Sequence, residues 1–124
     1  RSNYWGYAEK ENAGTADLIK LQYQGIRPAC GYPSQPDHAE KAVVWKLGDV
    51  EARTGITLSE NYSMVPGAAV CALVFAHPQS KYFAVGKVCK DQVVDYAKRQ
   101  GKTVEQVEAD LSAVLGYETD VSSP

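Results

Sequence analysis

Three stretches carry apolar residues at helical spacing. Val43, Val44, Leu47 and Val50 recur every three or four positions, which predicts a helix over 39–54 with one buried face. Asp91 opens a second helix that runs through Val93, Val94 and Tyr96 to Gly101. Thr103 opens a third through Val107, Leu111 and Val114, with Gly116 past its end. The spacing Thr103 to Gln106 is that of a capping box, in which side chain and backbone satisfy each other's first-turn donors. Asp37 and Glu40 repeat that spacing ahead of the 39–54 helix, and Gly55 follows it where a left-handed residue is wanted. A short helix begins near Thr15, turns Leu18, Leu21 and Ile19 inward, and ends at Gly25.

Between the helices the rhythm changes. Leu58 to Met64, Ala68 to Ala76 and Tyr82 to Val88 are rich in β-formers. The second run is nearly all apolar and reads as an interior strand. In the third, Tyr82, Ala84 and Gly86 fall on one face and Phe83, Val85 and Lys87 on the other. Pro66-Gly67 and His77-Pro78-Gln79-Ser80 supply the turns. The expected class is α+β, an antiparallel three-stranded meander with the 39–54 helix covering one face.

One stretch obeys neither rhythm. Gly25 to His38 holds three prolines and two glycines. Each proline fixes its own φ and pushes the preceding residue away from helical geometry. The segment is therefore a stiff irregular loop, with Arg27 and Tyr32 inside it. On residue types alone it reads as a connector between helices. A second reading is a rigid holder for a small zwitterionic or anionic ligand, built from backbone groups, a guanidinium and a ring. His38 ends the loop and reads as a capping or hydrogen-bonding residue.

Composition narrows the field. The length of 124 residues suits one domain with a modest core. A formal net charge of −2 and the absence of a basic run argue against nucleic acid as a main partner. No apolar run reaches membrane-spanning length, and no signal-peptide pattern opens the chain. Cys30, Cys71 and Cys89 are odd in number, far apart and without a histidine cluster. No disulfide framework or zinc site is expected, and a cytoplasmic setting follows. Residues 1–14 are polar around a Tyr4-Trp5-Gly6-Tyr7 cluster that reads as packing for one end of the core. The chain starts at Arg1, which suggests a piece of something longer.

Arg27-Pro28-Ala29, Gly31-Tyr32 and the continuation Pro33-Ser34-Gln35-Pro36-Asp37-His38 resemble the central loop of the activation domain of cobalamin-dependent methionine synthase. Further matches follow in family order. They include Trp5-Gly6-Tyr7-Ala8, Tyr23-Gln24-Gly25-Ile26, Ser80 to Gly86, Asp91-Gln92-Val93 and Leu115-Gly116-Tyr117. The resemblance runs from about Trp5 to Asp120 and corresponds to the C-terminal part of that domain. The tail 121–124 carries none, and Cys30 stands where the family usually has another proline.

The resemblance implies a single partial activation domain over 1–124, with 25–38 as its ligand-binding loop. It implies an S-adenosylmethionine site that includes Arg27, Ala29, Tyr82 and Phe83, with Tyr32 toward the cobalamin. By spacing alone Tyr82 is a hairpin-end residue; by resemblance it contacts ligand. In the family a flavodoxin-like partner delivers an electron to oxidised cobalamin, and S-adenosylmethionine then methylates the reduced cobalt. The cobalamin itself sits in a separate module. No residue here reads as a base, nucleophile or metal ligand, and the chain is not catalytically complete alone. The competing reading is a truncated interaction module that docks the cobalamin domain or the reductase without binding ligand.

Overall fold

The computed structural model describes residues 14–119. The Trp5–Tyr7 cluster and the 121–124 tail lie outside them. In chain order come α1 (Thr15–Ile19), α2 (Glu40–Gly48), α3 (Val50–Thr54), β1 (Thr57–Leu58), β2 (Met64–Val65), α4 (Lys90–Gln100) and α5 (Val104–Asp110). A 3₁₀ turn at Ser112–Val114 follows. The class is α+β, as expected, but the sheet is smaller than the sequence suggests. β1 and β2 pair antiparallel, with Thr57 opposite Val65 and Leu58 opposite Met64.

The core lies between α4 and α5. Val93 and Val107 are fully buried, with Ala97 and Leu111 beside them and Val88, Tyr96, Val104 and Leu115 packed around. The predicted cap is present. Gln106 N donates to Thr103 Oγ1 at 3.2 Å, and Thr103 N donates to Gln106 Oε1 at 3.0 Å. α4 starts at Lys90, one residue earlier than expected, and its N-cap is Cys89, whose N–H donates to Gln92 Oε1 at 2.9 Å. Gly101 closes it in the left-handed region at φ 65°. Val107→Ala removes two carbons from a fully buried site and leaves a cavity. We expect a loss of about 2–3 kcal/mol in urea unfolding, with an unchanged m-value.

The 39–54 helix is broken. Asp49 adopts φ 47° and separates α2 from α3. Its expected buried face is not buried: Leu47 is 83% exposed, and Val43 is exposed too. Leu18 and Ile19 of α1, and Leu21 just past its end, are likewise exposed, and the helix is capped by Gly14 rather than by Thr15. An apolar stripe at helical spacing marks a surface suited to burial, but not which segment covers it.

The three-stranded meander is corrected by where the backbone hydrogen bonds go. Residues 72–75 pair with the proline loop, not with 58–64 or 82–88. Ile26 and Phe75 exchange both bonds at 3.0 Å, and Leu73 N donates to Pro28 O at 3.0 Å. Antiparallel bridges join Ile26 to Phe75 and Ala29 to Ala72. Pro28 has no N–H to return, so the contact stays a run of bridges rather than a full strand pair. The 68–76 segment is an outer layer, not an interior strand, with Val70 87% exposed. The 82–88 segment is split between partners. Val85 N donates to Pro33 O, Val88 N donates to Val114 O, and Gly86 at φ 75° interrupts its extended path.

Candidate functional site: a cavity on the proline loop

The loop from Gly25 to His38 is held from three sides. The 72–75 segment bridges its first half. Val85 N reaches Pro33 O at 2.9 Å, and Gly31 N donates to Gln35 O at 2.8 Å to close a tight turn. At its far end Asp37 is buried and accepts from Ala39 N at 2.7 Å. The Tyr96 hydroxyl of α4 donates to Asp37 Oδ2 at 2.8 Å and also meets Glu40 Oε1. Lys41, buried beside them, donates to Tyr62 O at 2.7 Å. His38 lays its imidazole against Gly31, where an added Cβ would lie 2.2 Å from the ring.

Gly25 does not end α1. It stands at φ 84°, and an added Cβ would fall 2.3 Å from Phe75 O. Its role is the close approach of two backbones at the mouth of the loop.

A cavity of about 750 Å³ opens on this frame. Arg27, Ala29, Tyr32, Tyr82 and Phe83 all line it, together with Pro28, Val70 and Ala72. All five candidate ligand residues therefore meet in one place, although they come from two distant stretches. Its walls are largely apolar, with a few polar groups converging, and its size falls within the roughly 300–1,000 Å³ usual for small-molecule sites. Tyr32 also lines a second cavity of about 680 Å³ with Pro36, His38, Tyr62 and Lys87. Tyr32 is 66% exposed, and Pro33 and Ala84 line both cavities with it.

Tyr82 is joined to the loop by more than proximity. Its hydroxyl accepts from Arg27 N at 2.8 Å and lies 3.4 Å from the Tyr23 hydroxyl. The Arg27 guanidinium stacks 4.2 Å from the centre of the Tyr23 ring. That stacking fixes the plane of the guanidinium. Burial, reinforced by the Tyr82 hydroxyl, pushes the Tyr23 phenol above its ordinary value, against the opposing pull of Arg27. Sequence reasoning assigned Tyr23 no role. The available signal was a ring four residues before Arg27, within the segment Tyr23-Gln24-Gly25-Ile26.

A profile of the vitamin B12 dependent methionine synthase activation domain matches residues 1–101. The chain belongs to this family. The crystal structure of the MetH reactivation domain bound to AdoHcy shares the fold, with a TM-score of 0.89 and 52% sequence identity. The match covers 95% of this chain and 36% of that chain. This activation-domain chain thus spans about a third of the structure it matches. Among its described residues no group of three or more His, Cys, Asp and Glu could hold a metal ion. No described helix is long and apolar enough to cross a membrane.

The groups behind the loop set an alkaline limit on stability. Burial, then the hydrogen bond to Glu40, drives the Tyr96 phenol far above its ordinary value. Burial disfavours the Lys102 charge, but the Asp110 carboxylate 2.7 Å away outweighs it and the pKa is raised. A group whose folded pKa is raised contributes its stability in full below its unfolded pKa, about 10 for both types, and loses it as pH rises beyond. Unfolding in urea should therefore show stability falling above about pH 10. Tyr96→Phe should be less stable than the parent at neutral pH and show a shallower alkaline decline.

Proposed function

We propose that this chain is the S-adenosylmethionine-binding segment of a methionine synthase reactivation module, with residues 25–38 as its ligand loop. We take 1–124 as a single partial activation domain with 121–124 as a tail. The observation that carries the reading is the single cavity shared by Arg27, Ala29, Tyr32, Tyr82 and Phe83. AdoHcy, named in the matched structure, is S-adenosylmethionine without its transferable methyl group.

The residues present fit that ligand. Arg27, stacked on Tyr23, is assigned to the amino-acid carboxylate, which a guanidinium can grip by two parallel N–H bonds. Tyr82 and Phe83 place aromatic faces where a sulfonium gains roughly 0.5–2 kcal/mol from the ring quadrupole. The Arg27 N–H already donates to the Tyr82 hydroxyl, so the adenine edge is assigned to the backbone of Ala29. Prolines 28 and 33 keep these groups in place before ligand arrives, which lowers the entropic cost of binding.

Tyr32, which lines both cavities, is assigned to the side that faces the cobalamin of the separate module. When bound there, that cofactor supplies the methyl-accepting cobalt. This chain's residues hold the donor in line and keep water from it. A flavodoxin-like electron donor and a cytoplasmic setting complete the proposal.

Exposed Val70 and Leu47 favour a second reading, a docking module without ligand. Titration calorimetry on the complete protein separates the two. Saturable one-to-one binding of S-adenosylmethionine is expected. No heat of binding with the protein folded would leave the docking reading.

A further inference from the structure

The register that joins the loop to its outer layer brings two cysteines together. Ile26 faces Phe75 and Ala29 faces Ala72 in one antiparallel alignment. The same register places Cys30 opposite Cys71, one step beyond the last bridge. Residues opposed in this way have Cα atoms about 4.5–5.5 Å apart, within the roughly 4.4–6.8 Å that a disulfide spans. Both thiols are free; Cys30 is buried and Cys71 is partly exposed. Cys89 is exposed, but it caps α4 and lies outside the ladder.

We propose that Cys30 and Cys71 are a redox modification site, closing to a reversible intrachain disulfide when a low-molecular-weight disulfide is the oxidant. Cys71 is the accessible partner. Its thiolate attacks one sulfur of the small disulfide and expels one small thiolate, leaving a mixed disulfide. The Cys30 thiol then loses its proton and its sulfur displaces the second small thiolate, forming the Cys30–Cys71 bond. Two protein thiols and one small disulfide become one protein disulfide and two small thiols, so protons and electrons balance. Burial, then the neighbouring Cys71, holds the Cys30 thiol above its ordinary pKa, which suits it to resolve rather than to initiate. Reversible disulfides of this kind are the usual sort in reducing compartments.

The consequence is mechanical. Ala29 and Ala72, next to the two cysteines, both line the 750 Å³ cavity. A bond between their neighbours fixes the separation of two cavity walls and staples the loop to the 68–76 layer. The inference rests on the ladder's register and not on which ligand the cavity takes.

The test is to incubate the complete protein with oxidised glutathione, quench by alkylation, and map disulfides by mass spectrometry. The expected product is a cross-linked peptide pair joining Cys30 to Cys71, lost on adding dithiothreitol and retained in Cys89→Ala. Amide exchange at Leu73 and Phe75 should slow several-fold in the oxidised form, because local opening of the ladder is suppressed. Glutathione remaining on Cys71 with Cys30 still open to alkylation would overturn the proposal. So would a disulfide that uses Cys89, or exchange at Leu73 and Phe75 that is unchanged by oxidation.

Discussion

Arg27→Ala should weaken S-adenosylmethionine binding by about tenfold to a hundredfold, with the fold intact. A charge-assisted hydrogen bond is worth about 1.5–3 kcal/mol, which is that range in affinity. Arg27→Lys should recover little of it. Lysine keeps the charge, but it presents a point cation instead of a planar fork and cannot stack as flatly on Tyr23. Both variants should fold, because Arg27 is half-buried in a loop and lies outside the α4–α5 core. Calorimetric titration reads the affinity, and circular dichroism checks the fold. Equal affinity in parent and Arg27→Ala would return the loop to a stiff connector.

Gly25→Ala should be the most damaging single-methyl change in the ligand loop. Any side chain at φ 84° is strained by about 1–2 kcal/mol. The new Cβ would also lie 2.3 Å from Phe75 O, a backbone atom that cannot rotate away. Relief requires the two segments to part, and the paired bonds between Ile26 and Phe75 break with them. The expected loss is roughly 2–4 kcal/mol by urea unfolding. Ligand affinity should fall as well, since Arg27, Pro28 and Ala29 lead away from that hinge. Gly55→Ala is the control: it shares a positive φ but meets nothing within 4 Å, so only the smaller conformational cost should appear.

The contrast between those two glycines marks how far sequence reasoning reaches. Gly55 and the Thr103–Gln106 cap were legible because their causes are local: a left-handed residue after a helix and a reciprocal pair of hydrogen bonds. Val93, Val107 and Leu111 were legible because two helices with complementary apolar stripes follow each other closely. Gly25 was read as a helix end, since nothing local reveals Phe75 fifty residues on. The ladder of 26–29 with 72–75 was hidden for the same reason. Prolines remove ladder donors and read as a break in pairing, yet Ile26 exchanges both bonds with Phe75 and Pro28 still accepts from Leu73.

The candidate cavity was visible in outline. The proline spacing announced a rigid loop, and the family resemblance joined it to Tyr82 and Phe83. Two features escaped. Tyr23 stacks on Arg27 from the segment before the loop, and the Tyr82 hydroxyl accepts from the Arg27 N–H. Both are tertiary contacts between polar groups, which leave no periodic trace in a sequence. The apolar stripes of α1 and α2 gave the opposite error. Their periodicity was real, but Leu47 and Ile19 are exposed, so pattern predicted a cover that these residues do not supply.

The central claim is that the loop cavity holds S-adenosylmethionine by its carboxylate and sulfonium ends. A crystal structure of the complete protein with that ligand tests it most directly. The account predicts the ligand in the cavity bounded by Ala29, Tyr82 and Phe83, with its carboxylate within about 3 Å of two Arg27 guanidinium nitrogens. A ligand bound elsewhere on the protein, or one whose carboxylate points away from Arg27, would contradict it.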